Sequence, residues 1–301
     1  MQMRDFLINK IFLEAKKNPN IIFISNEQGA KSLDIFRKKL PKQFINAGIS
    51  EQNIISCAAG LAKKGKKVFI YSISSFITLR CFEQIKIDLN VMKLPVVILG
   101  VGASYSYDVA GPTHHSIDDI AILRTLQNFE IYSPSDNLSL NYFFKELLSR
   151  KMPCYVRLDR QELNNLERKV SSQKHGYSLI TPKGKNLIIS TGIGTHLAKK
   201  SNDLFDKNNK LMHIDIYKLK EFNKNKILKI IGNKQKIFTI EEHLLEGGLG
   251  SIILELVSDN NISTNIYRLG IKNTGVYTYL SREKIHRLHK IDEKSIYKYI
   301  K

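Results

Sequence analysis

Phe44-Ile45-Asn46-Ala47-Gly48-Ile49-Ser50-Glu51-Gln52 is the stretch from which the fold of this chain reads most directly. An apolar strand end, Phe44-Ile45-Asn46, passes through a turn at Ala47-Gly48-Ile49 into a helix whose body, residues 53–62, is apolar and rich in small residues. Ser50 stands where an N-cap is expected. Glu51 then falls in the first helical turn, where the positive end of the helix dipole favours a carboxylate. The small residues behind it predict that one side of Glu51 is closed off from water. A helix cap needs no more than this, whereas a catalytic acid needs further residues around it.

The same alternation continues on both sides of that stretch. Ile21-Ile22-Phe23-Ile24-Ser25 reads as a strand that ends in the polar turn Asn26-Glu27-Gln28-Gly29, and residues 32–39 read as a helix ended by Pro41. Further strands are expected at 68–71, 96–100, 131–132 and 154–158, and the spacing predicts one helix over 76–91 with Phe82, Ile85 and Leu89 on one face. Continuous apolar strands alternating with helices predict an α/β fold with a mostly parallel sheet covered on both faces. Ligands of such sheets sit at the carboxyl ends of the strands, where Glu27, Glu51, Phe76 and the loop after Gly100 all fall.

A first domain is therefore expected over residues 1–163. Residues 164–185, with Asn164-Asn165, Ser171-Ser172 and Pro182-Lys183-Gly184, read as a linker, and residues 186–301 as a second parallel-sheet domain. Its strands are expected at 186–190, 212–216 and 236–240, with helices over 195–205 and 251–257, the latter opened by Gly247-Gly248-Leu249-Gly250. Thr191-Gly192-Ile193-Gly194 lacks the third glycine and the acidic residue of a dinucleotide fingerprint and reads as a tight strand-to-helix turn.

The 301 residues leave room for two cores, and 43% hydrophobic with 25% charged residues fits a soluble globular protein. The net charge of +19 comes from lysines interspersed with acids and apolar residues, with no zinc motif or aromatic RNP-like stretch, so no nucleic-acid partner is expected. No apolar run reaches membrane-spanning length, and residues 1–17 read as an amphipathic helix rather than a signal peptide. Cys57, Cys81 and Cys154 form no C-x-x-C pair, which points to a reduced, cytoplasmic protein.

Beside Glu51 the strongest signal is Gly111-Pro112-Thr113-His114-His115-Ser116-Ile117-Asp118-Asp119, in the loop leaving the strand at 96–100. It puts two histidines in a Gly-Pro turn before a helix that Ser116 is expected to cap. Adjacent histidines point apart and no third ligand is evident, so a metal site is not expected.

At this point the chain resembles a known family. FINAGISEQNIISCAAGLA (44–62), YSISSFITLRCFEQIK (71–86), LPVVILGVG (94–102), GPTHHSIDDIAILRTLQN (111–128) and YSPSD (132–136) are similar to the pyrimidine-binding domain of thiamine-diphosphate enzymes of the transketolase and deoxyxylulose-phosphate synthase group. EEHLLEGGLGS (241–251) is similar to their C-terminal domain. The family's diphosphate- and magnesium-binding domain, with its Gly-Asp-Gly motif, has no counterpart, so the chain resembles the C-terminal subunit of a split transketolase.

The resemblance implies a transferase of two-carbon ketol units between sugars or sugar phosphates. It implies thiamine diphosphate and magnesium as cofactors, their diphosphate and metal held by an N-terminal partner subunit in a heterotetramer. It implies that Glu51 bonds the ring nitrogen of the cofactor's aminopyrimidine, with Glu27 nearby, while Phe76 and Phe82 stack on the ring; the helical spacing of Phe82 equally predicts a core position. His114 matches the substrate-side histidine, with His115 beside it. Arg160 sits where a phosphate-binding arginine is found, although an ion pair with Asp159 or Glu162 would also explain it. Ala110 departs from the pattern, since sugar-phosphate transketolases carry an Asp before the Gly-Pro-Thr-His run, and Asp108 could take over its role. Alternative readings are the beta subunit of a 2-oxo acid dehydrogenase, a decarboxylating enzyme like deoxyxylulose-phosphate synthase, and a non-catalytic partner half.

Overall fold

The structure, a computed structural model, describes residues 1–27, 29–169, 175–272 and 279–301. Gln28 of the polar turn and Ser171-Ser172 of the expected linker lie outside the described residues. The chain opens with α1 (Met3–Ala15), β1 (Ile21–Ser25), α2 (Asp34–Lys39), β2 (Phe44–Asn46) and α3 (Glu51–Lys63). After these come β3 (Lys67–Ile73), α4 (Ser74–Thr78), α5 (Phe82–Gln84), a π-helical segment (Ile85–Val91), β4 (Val96–Val101), α6 (Asp119–Leu123), β5 (Glu130–Tyr132), α7 (Asn137–Ser149) and β6 (Cys154–Leu158). Among the described residues these strands form one six-stranded sheet in the order β2-β1-β3-β4-β6-β5, parallel at every pairing. Strands β1, β4 and β6 are buried along their whole length, as expected of largely apolar strands in a sheet covered on both faces; the one charge among them is Arg157 of β6.

Two local expectations need correction. The single helix read over 76–91 is divided into α4, α5 and the π-helical segment. The widened turn keeps Ile85 and Leu89 in the core and also turns Asn90 inward, where its Oδ1 accepts from the Asn128 amide at 2.8 Å. Ser116 does not cap α6: its backbone is paired with Ser104 in an antiparallel bridge, and Asp118 holds the N-cap position without a side-chain bond to the helix amides.

The second sheet takes β7 (Tyr177–Thr181), β8 (Leu187–Ser190), β9 (Met212–Ile216), β10 (Lys236–Leu244) and β11 (Asn265–Ile271), in the order β11-β10-β8-β9-β7. Its helices are α8 (Ile193–Asn202), α9 (Lys224–Ile231), α10 (Leu249–Ser258), α11 (Arg282–His289) and α12 (Glu293–Ile300). Strand β7 lies inside the stretch read as linker and pairs antiparallel with β9, so the part of that stretch from Tyr177 belongs to the second sheet. No fingerprint is needed at the β8–α8 turn: a Cβ on Gly194 would stand 2.6 Å from the Ile240 carbonyl oxygen, and helix and strand pack too closely for any side chain there.

A buried polar seam joins the two domains. Arg157, 3% exposed, is paired with Asp119 and also donates to Ser104 Oγ at 2.6 Å, the Ser116 carbonyl at 3.1 Å and the Glu242 carbonyl of β10 at 3.4 Å. Such a charge is tolerable out of water when it is paired and hydrogen-bonded, as Arg157 is through Nε and Nη2.

Candidate active site

The site grows out of the strand ends of the first sheet. Between β2 and α3 the turn needs a positive φ, which Gly48 supplies at +63°. Its carbonyl accepts from Asn26 Nδ2 at 3.0 Å and from the Glu27 amide at 3.2 Å, tying the exit of β1 to this turn. Ser50 holds the N-cap position, but its hydroxyl turns back to the Ala47 carbonyl at 2.6 Å and does not cap an amide. Glu51 opens α3 and is 5% exposed, whereas Ile49, two residues earlier, is 82% exposed. The carboxylate therefore sits in a dry niche beside an apolar tip left in water.

Glu51 Oε2 accepts from Arg80 Nη1 at 3.2 Å. The break between α4 and α5 carries Arg80 back over the half-buried Phe76, with the guanidinium carbon 4.6 Å from the ring centroid. One flat cation thus touches both an aromatic face and the carboxylate. Phe76 meets His114 edge-on at 5.1 Å, His114 lies 5.6 Å from the Tyr107 ring, and the Arg160 guanidinium carbon stands 4.7 Å from that ring's centroid. Carboxylate, cation, ring, imidazole, ring and cation form a continuous row along the strand ends.

His114 is half-buried, and Thr113 Oγ1 is 3.0 Å from its Nδ1. Burial, and then the neighbouring His115, push its pKa below the ordinary value. His115 is turned away and buried; its Nε2 is 3.0 Å from the Asp108 carbonyl and its ring packs edge-on against Tyr105 at 4.7 Å. It braces the loop and does not join the row. Asp108 is likewise occupied, since Oδ1 accepts from the Val109 amide at 2.8 Å and Oδ2 from the Arg282 amide of α11 at 3.1 Å. Arg160 makes no ion pair among the described residues, because Asp159 is paired with Arg282 and Glu162 with the amino terminus. Phe82 packs against the hydrophobic core, the second of its two expected positions. Glu27 is exposed at the end of β1 and its side chain is not part of the row.

Of the residues expected from the sequence, Glu51, Phe76, His114 and Arg160 are brought together. Arg80 and Tyr107 join them without having been expected. For Arg80 a signal exists, a cation four residues after an aromatic at a strand end; for Tyr107 there is none, since it contributes through a loop whose path the sequence does not specify. Among the described residues no group of three or more His, Cys, Asp or Glu could hold a metal ion, and no helix is long and apolar enough to cross a membrane.

Comparison with known proteins bears on this geometry. Residues 1–165 match the model of the transketolase pyrimidine-binding domain, and residues 176–296 that of the transketolase C-terminal domain. The chain is 31% identical over 271 residues to a subunit of the apulose-4-phosphate transketolase of Phocaeicola vulgatus, covering 87% of this chain and 85% of that protein. It is 30% identical over 263 residues to a putative transketolase C-terminal section of Methanocaldococcus jannaschii, covering 86% and 82%. A solved structure of a split-gene transketolase, an inactive β4 tetramer, superimposes with a TM-score of 0.87 at 24% identity over 100% of this chain and 97% of that one, which establishes the shared fold.

Proposed function

The chain belongs to the transketolase family, and from that premise we propose that it is the pyrimidine-side subunit of a heteromeric, thiamine-diphosphate-dependent transketolase of the cytoplasm. The carrying observation is the contact of Arg80 with both Phe76 and Glu51. A guanidinium is planar and donates in its own plane, the two properties an aminopyrimidine offers at the same place. The pair therefore accepts a flat, donor-edged group, and the residues fit the pyrimidine half of the cofactor. They do not fit its other half: magnesium wants oxygen ligands in octahedral array, and the described residues gather no such set. A partner subunit supplies it in this reading, in a heterotetramer.

Thiamine diphosphate, when bound, supplies a thiazolium carbon that can lose its proton and hold the electrons of a broken C–C bond. The chain's own residues do the rest. Glu51, 5% exposed, holds and returns a proton at the aminopyrimidine ring nitrogen, a task that needs a carboxyl shielded from water. Phe76 gives the ring its face. His114, kept neutral by burial, can donate to or accept from a hydroxyl of the two-carbon unit. Arg160, with no carboxylate partner among the described residues, is available to a phosphate.

Ala110 ends a short 3₁₀ turn, Asp108–Ala110, and Asp108 is held by two amides. No carboxylate in this turn is free to read a sugar hydroxyl in the way an Asp at 110 would. The substrate proposed is accordingly a sugar phosphate other than the ordinary pentose phosphates, and the likeness to a subunit named for apulose 4-phosphate supports that choice. Co-expression with a chain carrying the Gly-Asp-Gly motif tests the whole reading. A stable complex that binds thiamine diphosphate with magnesium and transfers a ketol unit is expected; a complex that forms but neither binds nor transfers refutes it.

A further inference from the structure

Arg282 stands at the first position of α11 in the C-terminal domain and is 4% exposed. All five of its guanidinium N–H donors are used on three side chains. Nε and Nη2 donate to the two oxygens of Glu242 at 2.8 and 2.6 Å, Nη1 and Nη2 to those of Asp159 at 3.1 and 2.6 Å, and Nη1 also to Gln161 Oε1 at 3.1 Å. Burial alone would raise the Glu242 carboxyl, but the charges of Arg282 and His286 and the hydrogen bonds they make outweigh it and hold it well below the usual carboxylate range. Glu242 is thereby a fixed anion on β10 that anchors the guanidinium from behind.

What the guanidinium grips in front is the pair of residues flanking Arg160. Asp159 and Gln161 are both its partners, the Gln161 amide donates back to Asp159 Oδ1 at 2.8 Å, and the Arg160 amide donates to Ser106 Oγ at 3.3 Å. The backbone amide of Arg282 meanwhile holds Asp108 at 3.1 Å, and the Tyr279 ring lies against Gly111, two residues before Thr113-His114. Both segments that carry substrate-side residues, the loop 104–115 and the exit of β6, are thus fastened to one residue of the other domain.

We propose that Arg282 is a positioning residue for the phosphate end of the substrate: through Asp159 and Gln161 it sets the backbone from which Arg160 reaches out, so the C-terminal domain governs selectivity for phosphorylated over unphosphorylated sugars. This rests on the transketolase reading and on Arg160 as its phosphate ligand. The guanidinium's five-fold bonding leaves Asp159-Arg160-Gln161 one arrangement, and a lysine, with three donors from a single point, cannot reproduce it.

The test uses the complex with the diphosphate-binding partner subunit and compares a ketose phosphate with the same ketose lacking phosphate as donor. R282K is expected to raise KM for the phosphorylated donor about tenfold while leaving KM for the unphosphorylated one within about twofold and kcat unchanged. Q161A, which removes one contact at an exposed residue, should shift the same ratio by a smaller factor and decides the matter should R282K fail to fold. In an R160A background R282K should add nothing further to the ratio, the signature of one residue acting through another. Equal changes in both KM values, or an additive effect with R160A, overturn the inference while the transketolase reading stands. A wild-type complex that turns over neither donor defeats that reading, and the inference with it.

Discussion

Removing Arg80 is predicted to tighten cofactor binding. The guanidinium bridges Glu51 and Phe76, the place the proposed function gives to the aminopyrimidine, so in that reading binding must first displace it. The displaced contacts set the magnitude. The Arg80 side chain is 48% exposed, so its ion pair with Glu51 is screened and contributes only about 0.2–1 kcal/mol. Its approach to the Phe76 face adds about 0.5–1 kcal/mol, as expected of a half-exposed cation over a ring. Their sum, about 0.7–2 kcal/mol, corresponds to a dissociation constant about 3- to 30-fold lower in R80A. Because the Arg80 side chain is about half exposed and its only ion pair among the described residues is this screened one with Glu51, the variant should fold as the wild type does. Calorimetric titration of thiamine diphosphate with magnesium into the two-subunit complex reads the change directly. Weaker binding in R80A would refute the reasoning, since it would make Arg80 a ligand of the cofactor rather than its competitor.

Other expectations are simpler. E51Q should keep fold, assembly and KM but lose nearly all turnover, at least about a hundredfold in kcat, because the amide preserves shape and cannot relay the proton; near-wild-type rates in the reconstituted complex would count against it. Isolated chain should show no magnesium-dependent binding of thiamine diphosphate by calorimetry, whereas the complex should. The pH dependence of kcat/KM carries a sign fixed by His114: its folded pKa is lowered by burial and by His115, so the neutral imidazole persists as pH falls through the ordinary value of about 6.5, and the acid limb it causes must lie below that value and disappear in H114A. A110D should raise kcat/KM on xylulose 5-phosphate with ribose 5-phosphate several-fold; a wild type already at or above about 10⁴ M⁻¹s⁻¹ on that pair would remove the premise.

Legibility in the sequence follows the range of the interactions involved. Strands β1 and β4 are short, almost wholly apolar runs and β6 is one interrupted only by Arg157, and such runs bounded by turn residues favour buried parallel strands, so the first sheet can be read from the residues alone. Glu51 and Phe76 are equally open to reading, because each sits just beyond a strand end and such ends are where these sheets bind ligands. The interruption of the helix over 76–91 is hidden because apolar spacing cannot distinguish a regular helix from one broken by a π turn, and the decisive contact, Asn90 with Asn128, is not local. Ser116 looks like a cap for the same reason: its true partner, Ser104, is twelve residues away in a loop. Tyr177–Thr181 looks like linker because it is short, carries the hydroxyl residues Ser178 and Thr181, and gains its place as a strand only by pairing with β9, well downstream in the sequence. Arg282 gives no signal at all, since a buried arginine is defined by partners at 159, 161 and 242 that only the fold assembles.

The strand order of the first sheet also has a bearing on how the protein is made. Its last strand in sequence, β6, is not at the edge but sits between β4 and β5. Until Cys154–Leu158 has left the ribosome, β4 has an open side, and that side belongs to Val96–Val101, an uninterrupted apolar segment. Parallel pairings are non-local and slow to form, so the nascent chain displays a hydrophobic edge throughout the synthesis of α6, β5 and α7. Recombinant yield should therefore respond to slower translation and lower temperature more than to added partner subunit, and truncations ending before residue 158 should aggregate rather than yield a smaller folded domain.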